Sequence, residues 1–491
     1  MKNITKKISL ISKNSEEIII HLTDTYFLKE SKIGKEIDLP GFSRIYKIIE
    51  IFSKNLLTKR ILLLHSGDFL FPSLLSNFFK GKQMIDILNQ CGLNYCTLGN
   101  HDFDGGYEIL KKRIGESKFK YIITNLQAPK NISKNILQYD IWPKKSPKVA
   151  ILGIAGKMTI DKAKENRFKA ENQRESLKCT LSEVEEKFPD VKLLVTLSHM
   201  GDAEDLQLKK QLNSLWPHNS IILGGHDHNQ LISFNKKSEK CMLVKGQSNA
   251  RTLQIIILDN KITSKNQDLK KNLILLGSKD YGEFPNSSQI DQKIESWFKK
   301  LKKQNKLPTN KIIKKFSKGV ILDGTEVSLR KGTTNFGNFV SDCLKNYTNT
   351  DIAMINSGHF RGDRLFAEKL SVLDLFFTFV MEERGNIMVT QLTKKECVLF
   401  LKHAYNDVGK GKILQFSKNT LSILKKTKNN EMLSVALISD MIYSNENGFG
   451  RILAKNRKIS ITKLRKLLEK DIVKRYKSNR RYNQDGSQSE L

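Results

Sequence analysis

Apolar residues in the first half of the chain fall into short unbroken runs rather than into alternation. Glu17–Thr23, Ile61–Leu64, Tyr95–Leu98, Val149–Ile154, Val191–Leu197 and Ile221–Leu223 each predict a short strand covered on both faces. Between them the spacing turns helical, as over residues 74–90 with Leu74, Leu75, Phe78, Phe79, Ile85 and Leu88. Such alternation predicts an α/β fold with helices on the sheet faces. The residues that follow the strands resemble one another chemically. Asp24 follows the first, Ser66-Gly67-Asp68 the second, and Asn100-His101-Asp102-Phe103-Asp104 the third. Ser198-His199 and Gly224-Gly225-His226-Asp227-His228 end two later ones. Ligands of open α/β folds gather at the carboxyl ends of strands, so five ends of this kind predict one shared site.

The pattern changes after residue 265. Lys, Asn, Ser and Gln dominate, Phe284–Ser288 reads as a loop, and Gln289–Lys303 as a connecting helix. A second folded block begins near Lys311. It holds a helix led by Asn338, with Phe339, Val340 and Leu344 on its inner face, and a buried strand over Asp351–Gly358 that ends in a glycine turn. The expected organisation is a first domain over 1–265, a linker and helix over 266–310, a second domain over 311–475 and a polar tail over 476–491. No internal repeat interrupts it.

With 491 residues, 39% of them hydrophobic and 8% aromatic, the chain has the composition of a soluble globular protein of two or three domains. Its 84 Lys and Arg against 51 Asp and Glu leave a net charge of +33. The lysines are spread along the chain, with only short clusters at 299–303 and 474–481, so the excess reads as a basic surface rather than a nucleic-acid tract. The six cysteines form no CxxC pair and read as reduced thiols. Residues 1–15 lack the apolar core of a leader, and Ile18-Ile19-Ile20 is too short to span a bilayer. These features give the expectation of a cytoplasmic protein with no membrane partner.

Asp24, Asp68, Asn100, His199, His226 and His228 supply carboxylate, amide and imidazole groups suited to two divalent cations about 3.5–4 Å apart. His101 suits a different task, hydrogen bonding to a phosphate or a leaving oxygen with Asp104 fixing its tautomer. His21, His65, His218 and His403 read as packed or surface histidines.

Taken in order, Asp24, Gly67-Asp68, Gly99-Asn100-His101-Asp102, His199 and Gly225-His226-Asp227-His228 resemble the motifs of calcineurin-like metallophosphoesterases. Gly41-Phe42-Ser43-Arg44 and Asn100-His101-Asp102-Phe103-Asp104 are similar to the bacterial 5′-nucleotidase branch, and the resemblance runs over about residues 15–470. It implies a four-layer αββα sandwich joined by the connecting helix to an α/β substrate-specificity domain. It also implies two divalent ions (Mn, Zn, Co, Fe or Mg), with Asp68 bridging, Asp24 and His228 completing one site, and Asn100, His199 and His226 the other. His101 and Asp104 become a catalytic dyad.

In the second domain, Leu322-Asp323-Gly324 and Arg330 through Asn335-Phe336-Gly337-Asn338 resemble the family's entry motif. The resemblance gives Arg330, Asn356 and Arg361 the nucleotide part of a substrate. It sets Asn447 at an acid position and Phe449 beside it. Three positions depart from the family: Tyr26 stands where an Asp-x-His motif has histidine, and Ile387 and Met441 stand where two base-stacking rings are usual. The implied activity is release of phosphate from nucleotides or related monoesters. Two alternatives stay open, a cyclic phosphodiesterase or nuclease-like activity on diesters, and a ligand-binding protein whose turnover is weakened by Tyr26.

Overall fold

The computed structural model describes residues 17–438, except 34–35, 56–59, 146–147, 236, 259–268, 304–310, 380–386, 406–407, 410 and 412, together with 481–482 and 488–489. It divides into two compact units, residues 1–301 and 302–491.

Unit 1 is built on two sheets. The first has seven strands: β1 (Glu17–Leu22), β2 (Arg60–His65), β3 (Tyr95–Cys96), β4 (Lys120–Ile122), β5 (Ile136–Leu137), β12 (Leu253–Leu258) and β13 (Leu273–Leu276), in the order β13-β12-β1-β2-β3-β4-β5. The second has six: β6 (Tyr139–Trp142), β7 (Val149–Ala155), β8 (Leu193–His199), β9 (Asn219–Gly224), β10 (Leu231–Ser233) and β11 (Cys241–Lys245), in the order β10-β11-β9-β8-β7-β6. β1, β2 and β3 are parallel neighbours, as are β7, β8 and β9, so their carboxyl ends lie side by side.

The continuous apolar runs have the cause expected of them, since both sides of each sheet are covered. Ile19, Leu62 and Leu64 of one sheet and Val195, Leu197, Ile221 and Leu223 of the other belong to one buried cluster. On the outer face of the second sheet, Leu194 and Ile222 pack with Leu177 and Leu181 of a helix over Gln173–Lys187 and with Leu208 and Leu212 of a helix over Asp202–Leu215. The helix over Gly41–Asn55 packs on β2 of the first sheet. Helix, sheet, sheet and helix follow in that order.

The long helix expected over 74–90 is two, α1 (Leu74–Phe79) and α2 (Lys82–Cys91). Lys80 and Gly81 both take left-handed backbone between them, at φ 53° and 77°, which ends one helix and starts the next while the apolar spacing runs on. β3 is also shorter than its run, because Thr97 and Leu98 already belong to the descending loop.

Unit 2 carries a four-stranded sheet of β14 (Ile352–Asn356), β15 (Ile387–Thr393), β16 (Leu414–Phe416) and β17 (Met432–Ile438), in the order β15-β17-β14-β16. Alternate residues separate onto two cores. Ala353, Ile355, Ala436 and Ile438 join Phe336, Phe339, Val340 and Leu344 of α3 (Asn335–Thr348). Ile352, Met354, Val435 and Leu437 join Phe400 and Leu401 of α4 (Lys394–Tyr405). α3 begins three residues before Asn338, because Thr334 caps it by accepting a 3.0 Å bond from the Gly337 N–H. Ile387 is 2% exposed, on the strand face that packs with Phe360 and Phe379. Among the described residues no helix is long and apolar enough to cross a membrane.

Candidate metal centre

The loops after β1, β2 and β3 deliver Asp24, Asp68 and Asn100, while β8 ends on His199 and the loop after β9 carries His226 and His228. Buried oxygens and nitrogens of Asp24, Asp68 and His199 all lie within 4.8 Å of one another. His199 Nε2 is 3.2 Å from Asp68 Oδ2 and 4.0 Å from Asp24 Oδ1, and His228 Nε2 is 3.2 Å from Asp24 Oδ1. His226 Nδ1 and Asn100 Oδ1 are 3.0 Å apart. All six expected ligand residues are therefore brought together.

The backbone is shaped around them. Asp24, Asp68, His226 and His228 take φ of 49°, 58°, 81° and 61°, a region that side chains with a Cβ avoid unless the surroundings impose it. The Gly67 carbonyl accepts from the Asp24 N–H at 3.1 Å. Gly225 is fixed by space, since a Cβ there would lie 2.2 Å from Thr23 Oγ1 and 2.8 Å from Asp24 Oδ2. At Gly99 it would lie 2.1 Å from Asp68 Oδ1.

Three residues outside the proposed ligand set brace it. Asp102 is buried and accepts from the N–H groups of Asp68, Phe69, Leu70 and Gly99 at 2.8–3.0 Å, locking the second loop to the third. Asn249 Oδ1 accepts from Tyr26 N at 2.8 Å and Phe27 N at 3.3 Å, and its own N–H donates to the Asp24 carbonyl. Lys245 Nζ, on β11, lies 2.9 Å from Asp202 and Asp205 and 3.1 Å from Asp227, and donates to the Met200 carbonyl. It thereby anchors the segment between His226 and His228. A carboxylate inside the third motif was the one signal available for Asp102. The partners of Asn249 and Lys245 are too distant in sequence to be read from it.

Charge follows this geometry. Burial raises the Asp24 carboxyl, but His228 and His199 beside it hold it well below the usual carboxylate range. Burial opposes ionisation of Asp68 too, and His199 and His101 bring it down to about 2. Burial would lower His199, yet Asp68 and Asp24 raise it to about 10. His226 is pushed down to about 3 by burial and by the charge of His199. Without an ion, His199 is the cation between two buried carboxylates. Its Nδ1 meets the Ser66 carbonyl at 2.7 Å, which turns Nε2 toward the carboxylates, 3.2 Å from Asp68 Oδ2. That buried set of carboxylate, amide and imidazole donors fits metal cations.

Beside it, His101 Nδ1 lies 2.7 Å from Asp104 Oδ2, and the His101 N–H donates to Asp68 Oδ1 at 2.8 Å. A carboxylate only accepts, so Nδ1 carries the proton and Nε2 is the remaining polar atom of the ring. Tyr26 is buried, with its Oη 3.1 Å from His228 Nε2, 3.3 Å from Asp68 Oδ2 and 3.4 Å from Asp24 Oδ1. His21 and His65, expected to be packed, are buried. His65 holds Thr25 Oγ1 and Gly67 N, and His21 holds Ser66 Oγ and Gln254. Arg44, from the helix-start motif, donates to the Tyr281 and Phe284 carbonyls and to Glu30, which is scaffolding.

In unit 2, Arg330, Asn356 and Arg361 converge on one backbone crossing. The Gly358 N–H donates to the Gly411 carbonyl, Asn356 Nδ2 reaches the same carbonyl at 3.5 Å, and Arg361 Nε donates to the Gly358 carbonyl at 2.7 Å. Arg330 pairs with Glu326 at 2.5 Å, and Asn356 Oδ1 is buried without a hydrogen-bond partner. Gln415 ties the Arg330 loop to β16 through the Thr334 N–H and the Leu329 and Gly332 carbonyls. Asn447, Phe449 and Met441 lie outside the described residues.

Two family models match the chain. Residues 18–230 match the calcineurin-like phosphoesterase family, and residues 313–440 match the 5′-nucleotidase C-terminal domain. The chain belongs to the calcineurin-like phosphoesterases that carry a 5′-nucleotidase C-terminal domain. Among its relatives, NAD 5′-nucleotidase of Haemophilus influenzae is 24% identical over 46% of this chain and 38% of its own length. The trifunctional nucleotide phosphoesterase YfkN of Bacillus subtilis is 23% identical over 75% of this chain and 27% of its own length. The chain thus spans about a third of these relatives. The fold is shared with the crystal structure of a 5′-nucleotidase precursor from Thermus thermophilus, with a TM-score of 0.69 at 18% identity over 93% of this chain and 96% of that one. Members of this family hold divalent metal ions, and the cluster of Asp24, Asp68 and His199 is the candidate site here.

Proposed function

We propose that this family member hydrolyses phosphate monoesters of nucleotides or related small molecules, with two divalent cations held by Asp24, Asp68, Asn100, His199, His226 and His228. This reading rests on the buried Asp24–Asp68 pair with His199 Nε2 aimed at it, donor atoms that all lie within 4.8 Å of one another. Cations bound there supply neutralisation of phosphoryl charge and an acidified water.

The chain's own groups do the rest. Asp104 holds His101 through Nδ1, so Nε2 meets a phosphoryl or leaving oxygen at the edge of the carboxylate cluster. Water adds to phosphorus as its proton leaves to solvent, the bond to the ester oxygen breaks, and the leaving alkoxide takes a proton from Nε2 of the doubly protonated His101 ring or from solvent. Arg330, Asn356 and Arg361 of unit 2 recognise the organic part of the substrate, with guanidinium forks suited to hydroxyl-rich or anionic groups. With Ile387 packed in the core, that recognition does not use a ring at this position. Base stacking is worth roughly 1–3 kcal/mol per base, so selectivity among nucleobases is expected to be weak. The substrate is a small molecule, and the net charge of +33 favours anionic ones.

The test is phosphate release from AMP, other nucleotides, sugar phosphates and bis(p-nitrophenyl) phosphate with manganese, zinc or cobalt added. Monoester turnover abolished in Asp68→Asn is the expected result. Preference for the diester, or ligand binding without turnover under every metal, would contradict it.

A further inference from the structure

Tyr26 sits among the proposed ligands rather than behind them. Its Oη lies 3.1 Å from His228 Nε2, 3.3 Å from Asp68 Oδ2 and 3.4 Å from Asp24 Oδ1. A phenol has one proton to give, so it cannot hydrogen-bond both carboxylates at once. Donor atoms bonded to one cation at about 2.0–2.2 Å and set at right angles lie about 3 Å apart. The four atoms are spaced like neighbours in one coordination sphere. The main chain holds Tyr26 in place, because Asn249 accepts from its N–H while donating to the Asp24 carbonyl. The phenol ring lies 5.5 Å from the His228 ring, tilted by 38°.

We propose that Tyr26 Oη is itself a metal ligand and makes the two halves of the centre chemically unequal. This rests on the metal-centre reading above. On binding, the phenolic proton leaves to solvent and a Tyr26 oxygen–metal bond forms, with no change of oxidation state. One half then offers three anionic oxygens (Asp24, Asp68, Tyr26) and one imidazole (His228). The other offers the shared Asp68, an amide oxygen (Asn100) and two imidazoles (His199, His226). Hard, highly charged cations favour the first set, and borderline ions such as zinc favour the second. The chain is therefore expected to prefer a mixed pair, with the harder ion beside Tyr26.

Ferric iron is the probe, because a phenolate bound to it gives a charge-transfer band in the visible. Wild type, Tyr26→Phe and Tyr26→His are loaded with ferric iron and with zinc, and spectra, metal-to-protein ratios and melting curves are recorded. The expected result is a visible band in wild type that is absent from both variants. Iron affinity should fall at least about tenfold in Tyr26→Phe, with an unchanged far-ultraviolet circular dichroism spectrum. Tyr26→His should shift the preference toward zinc. Iron bound equally by wild type and Tyr26→Phe without a visible band would overturn Tyr26 ligation while leaving the metal centre intact. Binding of neither metal by wild type would overturn both.

Discussion

The strained residues of the centre are also its proposed ligands. His226 at φ 81° and Asp68 at φ 58° hold left-handed backbone that costs of order 1–2 kcal/mol for a residue with a Cβ. His226→Gly should therefore melt above His226→Ala by the equivalent of about 1 kcal/mol, although both lose the imidazole. Equal melting points would show that the conformation is not strained. His101→Ala leaves the six proposed ligands in place. It should lower turnover about 10²–10⁴-fold at unchanged metal content, as loss of a proton donor does. Loss of metal together with rate would instead make the imidazole a support of the ligand set, because the backbone N–H that bonds Asp68 Oδ1 survives the substitution.

Elements place these residues, and the sequence announced the elements better than their fastenings. Unbroken runs such as Ile18–Ile20 and Leu193–Leu197 were legible as strands because each sheet is buried on both sides, and the polar residue after each was legible as a site. The break at Lys80-Gly81 was not, since apolar spacing is indifferent to a left-handed pair. Tyr26 was legible as a departure from its motif, but its position among three donor atoms appears only when β1, β2 and the loop after β9 come together.

Lys245 fastens three acidic side chains. It is the buried cation facing Asp202, Asp205 and Asp227, and burial, which alone would lower its pKa, is overcome by those three carboxylates, which raise it. Lys245→Met should cost about 3–5 kcal/mol, because it strands buried charge. Differential scanning calorimetry reads that directly, and a loss below about 1 kcal/mol would mean the aspartates find other partners.

At the scale of the molecule, pH exposes a buried proton balance. Burial depresses His21 from 6.5 to about 4, against the hydrogen bond to Gln254. Its folded pKa lies below the unfolded one, so its contribution is complete above pH 6.5 and is lost as pH falls toward 4. The full loss is about 3 kcal/mol at 1.36 kcal/mol per unit. His21→Gln should flatten the stability curve in that window by about one proton. Parallel curves would place the acid sensitivity elsewhere.

The proposed chemistry requires Asp68 to lie between two cations. Anomalous diffraction from crystals soaked in manganese tests it most directly. Two peaks should flank the Asp68 carboxylate, one toward Asp24 and His228 and the other toward Asn100, His199 and His226. Peaks on other surfaces, or none at full metal loading, would contradict it.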